Sequence, residues 1–92
     1  MHAAPAERDT LLKILQEAVQ DMPGCISYVI AKDAAEEHAL WITEVWDSKD
    51  SHDQSLSLPA VKEAIAKAKP LIAGFEKGVS TIPVGGFGLP RR

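Results

Sequence analysis

Apolar residues first recur at helical spacing. Leu11, Leu12, Leu15, Ala18, Val19 and Met22 share one side of a 3.6-residue repeat. Pro5 stands at a favoured early helix position, and Glu7 and Asp9 lie where the helix dipole favours negative charge. The pattern predicts a helix from Pro5 to Met22, stopped by Pro23-Gly24. The period then changes to two. In CISYVIAK (Cys25 to Lys32), Ile26, Tyr28 and Ile30 alternate with Ser27, Val29 and Ala31, and in Ala39 to Trp46, Leu40, Ile42, Glu44 and Trp46 alternate with Trp41, Thr43 and Val45. The polar stretch Asp33 to Glu37 has the length of a hairpin loop, which makes these two strands antiparallel neighbours. Large apolar groups stand on both faces of the second strand, so neither face is simply solvent.

Asp47-Ser48 is a helix-opening pair, and a short helix carrying His52 follows. The run Ser55-Leu56-Ser57-Leu58 separates it from a longer helix starting at Pro59. There Val61, Ala64, Ile65, Ala68 and Ile72 form an apolar stripe, with Lys62, Glu63, Lys67 and Lys69 outside it and Pro70 kinking or ending the helix. A final strand is expected at Gly78 to Val84, with Pro83 marking an edge or a strand end. Residues 85–92 (GGFGLPRR) form a glycine-rich tail, whose Phe87 and Leu89 are candidates for contact with a partner subunit. Met1 to Ala4 is too short for a proper strand.

The order is therefore residual strand, helix, strand, strand, helices, strand. It is an α+β domain of the ferredoxin-like split βαβ type, one unit over residues 1–92, with an antiparallel sheet and helices on one face only. The other face would expose apolar side chains from Tyr28, Val29, Leu40 to Trp46 and Val79, and such a patch marks an interface. Stacking two copies sheet against sheet would bury it, so a homodimer is expected.

With 92 residues, one small core is all the chain can build, and dimerisation would support it. A net charge of −3, with lysines spread around a helix and diluted by Glu63, argues against nucleic acid as a partner. No apolar run has the ~18 residues of a membrane span, and MHAAPAERD lacks the regions of a signal peptide, so a cytoplasmic location without a membrane partner is expected. The single cysteine, Cys25, has no partner for an internal disulfide and reads as a small buried hydrophobe rather than a nucleophile. There is no CxxC, no histidine pair at metal-ligand spacing and no nucleophile elbow. Gly85, Gly86 and Gly88 precede no helix and make no phosphate loop.

The remaining chemical inventory is small. His52, an imidazole able to exchange protons near neutral pH, follows closely on a strand that ends in Trp46. Glu44 sits between Ile42 and Trp46, where a charge needs a partner or a task. His52 as general base would remove a phenolic or enolic proton from a substrate whose anion passes an electron to dioxygen. Trp46, Tyr28 and Phe75 would wall the pocket and stack on the substrate, with Glu44 beside them. The structural alternative stands beside it: His52 fastens the loop around Asp47 to Asp50, Trp41 and Trp46 are core or dimer anchors, and Glu44 holds a backbone amide or the other subunit.

The E-x-W strand ending (Glu44, Val45, Trp46), the histidine in SHDQS and the Pro23-Gly24-Cys25 step before a strand resemble the antibiotic biosynthesis monooxygenase family. The resemblance covers nearly the whole chain from Pro5. It implies a ferredoxin-like subunit that pairs into a dimeric α+β barrel, with a pocket between sheet and helices. It also implies several activities: oxidation of quinols and polyphenols by dioxygen without metal or flavin, haem degradation, or none established. The first reading takes a small aromatic substrate and no cofactor. The haem-degrading subgroup uses an asparagine on the first strand, where this chain has Met-His-Ala-Ala, so haem is disfavoured. A non-catalytic dimeric module binding small molecules is the alternative. Chains of this family usually begin with a full strand, so the first strand is expected to be largely missing here, through a late start or a sheet that has lost most of it.

Overall fold

In the computed structural model, which describes residues 1–76 and 78–89, an antiparallel hairpin forms the main part of the sheet. Its strands are β2 (Cys25–Lys32) and β3 (Leu40–Trp46). The loop between them is closed by Asp33, whose Oδ1 accepts from the amides of Ala35 at 2.9 Å and Glu36 at 2.8 Å while its Oδ2 accepts from the Trp41 indole at 2.6 Å. A short aspartate side chain mimics a turn of backbone in this way. The register sets Tyr28 opposite Glu44, Ile30 opposite Ile42 and Lys32 opposite Leu40, with an irregularity between Cys25 and Ser27.

The first strand, β1 (His2–Ala3), is only two residues long, as its sequence suggests. It pairs antiparallel with β4 (Ile72–Gly74) and bridges to Ala39 through His2. The Leu40 amide donates to the Met1 carbonyl at 3.0 Å, so the strands run in the order β4-β1-β3-β2. This is the order of a split βαβ sheet.

Three helices complete the chain. Helix α1 (Arg8–Ala18) is shorter at both ends than the apolar repeat predicts. Ala6 at φ 64° and Asp21 at φ 51° take left-handed backbone on either side, which a helix cannot include. The Arg8 guanidinium donates to the carbonyls of Glu36 and Ala39 at 3.0 and 3.3 Å and so ties the helix start to the hairpin loop. Helix α2 (Lys49–Ser55) is followed by α3 (Pro59–Ala68), where Pro59 occupies the first turn and a single 3₁₀ turn at Lys69–Leu71 ends the helix around Pro70. The core joins Ala3, Leu11, Leu12, Leu40 and Ala68, with Ile14, Leu15, Ile30, Ile42 and Ile72 packed against it. No helix among the described residues is long and apolar enough to cross a membrane.

Two expectations are corrected. The last strand is Ile72–Gly74, not Gly78 to Val84: the latter residues are exposed and take no regular structure. Strand propensity in Val79, Thr81 and Ile82 is local, whereas a ladder needs a neighbour, and the short β1 offers only two residues to pair with. The open face is also smaller than expected. Leu40 is buried in the core, and Tyr28 shares its side of the hairpin. What stays open is Val29, 52% exposed, and Trp41, 59% exposed, among Ser27, Ala31, Thr43 and Val45. The Asp33 carboxylate, bonded to the Trp41 indole, stands at the end of this face.

Candidate functional site

The far end of the same hairpin carries the candidate chemistry. Glu44 and Trp46 follow Leu40 and Ile42 on the helix side of β3, but at this end α1 and α3 give way to α2. Ser48 caps α2, its hydroxyl accepting from the Ser51 amide at 3.1 Å. The chain is held at the same point by the Asp47 amide, which donates to the Gly24 carbonyl at 2.8 Å. Gly24 has φ +82°, and a Cβ there would collide with the Ser51 side chain and with Asp47 Oδ1. A glycine is therefore required for α2 to close onto the start of β2.

This closure brings His52 to the sheet. Its ring meets that of Trp46 edge to face, with centroids 5.5 Å apart and planes at 75°. His52 Nε2 lies 3.8 Å from Glu44 Oε1, and Nδ1 lies 3.4 Å from Asp53 Oδ1. The Trp46 indole donates to Glu44 Oε1 at 3.0 Å, which answers what the strand carboxylate is for: it orients the indole and faces the imidazole. The His52 side chain is 40% exposed and that of Glu44 30%, so both are open to a ligand while half sheltered by the sheet.

Tyr28 stands across the ladder from Glu44. Its phenol is pushed up to about 12, first by burial and then by the negative charge of Glu44, so it stays protonated near neutral pH. The Cys25 thiol is raised by burial and by Glu44, and its Sγ donates to the Ser27 carbonyl at 3.6 Å, which agrees with a role as a packed hydrophobe. The arrangement thus joins a proton acceptor, a carboxylate able to stabilise that acceptor once charged, an oriented indole and a neutral phenol.

Four of the five predicted residues, His52, Trp46, Glu44 and Tyr28, come together. Phe75 does not join them: it directly follows β4, which β1 separates from β3, and it is 69% exposed. The sequence reading missed the Asp33 to Trp41 contact. The signal was present in Asp33-Ala34-Ala35-Glu36, an aspartate followed by free turn amides. Two shallow hollows lie elsewhere, one of about 220 Å³ between α1 and α3 and one of about 130 Å³ beside Arg8 and His38.

A sequence model of the family described as antibiotic biosynthesis monooxygenase matches residues 1–67. Among solved structures, a protein of Chloroflexus aurantiacus provisionally named an antibiotic biosynthesis monooxygenase is 53% identical, with a TM-score of 0.94 over 98% of this chain and 92% of its own. At most a few residues fall outside that overlay, so residues 78–89 are included in it. A protein of Deinococcus radiodurans under the same provisional name is 28% identical, with a TM-score of 0.66 over 91% of this chain and 93% of its own. One from Caulobacter crescentus, also so named, shares the fold at 23% identity and a TM-score of 0.75, over 82% of this chain and 74% of its own. No curated protein matches.

Proposed function

Because the chain belongs to the antibiotic biosynthesis monooxygenase family, we propose that it oxidises a small electron-rich aromatic, a quinol or polyphenol, with dioxygen and without a cofactor, using His52 as general base. The observation that carries this reading is the His52 imidazole set edge-on to Trp46 with Glu44 Oε1 at 3.8 Å from Nε2. Nε2 takes a phenolic proton, and the carboxylate beside it stabilises the imidazolium that forms. The phenolate passes one electron to dioxygen, and the two radicals join at a ring carbon to give a peroxide anion. Imidazolium returns its proton to the peroxide, and loss of water leaves one oxygen atom on the ring as a carbonyl. All electrons come from the substrate, so a hydroquinone plus dioxygen balances as a hydroxyquinone plus water. Trp46 and Tyr28 supply apolar ring surface for stacking and exclude water from the anion.

The working unit in this reading is a homodimer in the cytoplasm. The open face around Val29 and Trp41 supports it, since an exposed apolar patch in a small domain is an interface signal. Roughly 1,500–2,500 Å² in total would be buried, with Trp41 near the centre. Elution as a monomer at micromolar concentration would contradict the dimer. The reaction is tested by oxygen uptake with a panel of hydroquinones and polyphenols. Uptake with formation of a quinone is expected, and no uptake above the blank with any of them would overturn the oxygenase. A second reading, a non-catalytic dimeric binding module, draws support from the two hollows, neither of which is lined by His52 or Trp46.

A further inference from the structure

We propose that Asp53 is a positioning residue for His52: its carboxylate accepts the Nδ1–H of the imidazole and so leaves Nε2 bare to take the substrate proton. The proposal rests on the reading of His52 as general base and adds the group that sets which nitrogen receives the proton.

A neutral imidazole has one N–H and one bare nitrogen, and only the bare nitrogen can act as a base. Free histidine favours the proton on Nε2, so a base working through Nε2 needs a partner that draws the proton to Nδ1. Here Nε2 faces the strand, 3.8 Å from Glu44 Oε1, and Nδ1 faces its own helix, 3.4 Å from Asp53 Oδ1. The two carboxylates do not compete equally. Glu44 Oε1 is the farther of the two and already receives the Trp46 indole N–H at 3.0 Å. Asp53 Oδ2 is taken by the Lys49 ammonium at 2.9 Å, which leaves Oδ1 for the ring. The Asp53 carboxyl is held below the usual carboxylate range, first by the Lys49 hydrogen bond and also by His52, so it is ionised and can only accept. When Nε2 gains the phenolic proton, imidazolium lies between the two carboxylates, and the Asp53 contact tightens toward hydrogen-bond length.

Helix stability does not account for the Lys49 and Asp53 pair. An acid suits the first turn of a helix and a base the last, and an (i, i+4) pair is best with the acid first. In α2 the order is reversed: Lys49 opens the helix and Asp53 stands in its last turn. What the pair does fix is the carboxylate beside Nδ1. The imidazole is fixed as well, since the buried Ser55 donates its hydroxyl to the His52 carbonyl at 2.6 Å and Trp46 meets the ring edge to face.

Long-range proton–nitrogen NMR correlation of the imidazole rings tests the assignment, with the His52 signals identified by their loss in His52→Ala. At about pH 9, well above the ordinary imidazole value of ~6.5, the neutral ring shows which nitrogen is protonated. The wild type should hold His52 mainly as Nδ1–H, with His2 and His38 as internal comparisons. Asp53→Ala, which keeps a good helix former in α2, should return His52 mainly to Nε2–H. Lys49→Met breaks the ion pair but leaves the carboxylate beside Nδ1, so its tautomer should stay near wild type. In oxygen uptake with a hydroquinone, Asp53→Ala should lower kcat about three- to tenfold, as the competent tautomer becomes the minor one, with KM little changed. A wild type that is mainly Nε2–H, an unchanged tautomer in Asp53→Ala, or an equal change in Lys49→Met overturns the role of Asp53. The expected tautomers in a protein that oxidises no hydroquinone would uphold the Asp53 contact and overturn the oxygenase instead.

Discussion

The two ends of β3 share a strand, a face and a ladder partner, and they differ in what lies over them. At Leu40, helices α1 and α3 close over the sheet and leave the side chain 1% exposed. At Glu44 and Trp46 only the seven-residue α2 reaches the sheet, and the side chains of Glu44 and His52 keep access to solvent. One end therefore holds the fold together, and the other is free for chemistry, since a buried carboxylate at the Leu40 position would have to be neutralised or paired. A single hairpin has a covered end and an open end because the helix cover ends halfway along it.

The comparison predicts effects of differing size at the two ends, the largest at Leu40. Leu40→Ala should cost about 2–5 kcal/mol by loss of burial and a cavity, seen as a lower denaturant midpoint. Ile42 lies next along the face and is only partly buried, so Ile42→Val should cost about 0.5–1.5 kcal/mol or less in the same assay. Gly24→Ala acts at the other end, where a positive φ and a collision with Ser51 and Asp47 combine to push α2 from the sheet. A loss of about 1–3 kcal/mol is expected, with a changed chemical shift at the His52 ring as its contact with Trp46 opens. Ser48→Ala removes only the cap and should cost about 1 kcal/mol.

The smallest effect concerns pH. The Asp33 carboxyl is held at about 2 by the amide of Glu36, the indole of Trp41 and the amide of Ala35. A carboxyl depressed on folding stabilises the protein above its unfolded value, ~3.9, and this contribution is lost as pH falls from there through about 2. Because the group is exposed, the contribution is small. Asp33→Asn should flatten the fall in melting temperature between about pH 4 and pH 2, and an unchanged slope would show that the loop does not depend on this charge.

The hairpin and α2 were legible because their signals are local: β2 falls on Cys25–Lys32, β3 begins one residue later than its alternation suggests, and Ser48 caps where the sequence has a capping residue. The histidine, tryptophan and glutamate of the site were legible for the same reason, lying within nine residues of one another. Phe75 and the last strand were not. Their place depends on which strand is available as a neighbour, and β1 is too short to support a ladder through Val84. The ends of α1 were missed because left-handed backbone at Ala6 and Asp21 has no signature in the apolar repeat.

The proposed role of His52 is tested most directly by the turnover of His52→Ala per folded chain, set beside its melting temperature. A general base contributes about 10²-fold or more, so the variant should lose that much oxygen uptake with a hydroquinone while melting within about two degrees of wild type. A variant that melts several degrees lower yet turns over at the wild-type rate would contradict the account, and would make the imidazole a fastener of α2 to Trp46.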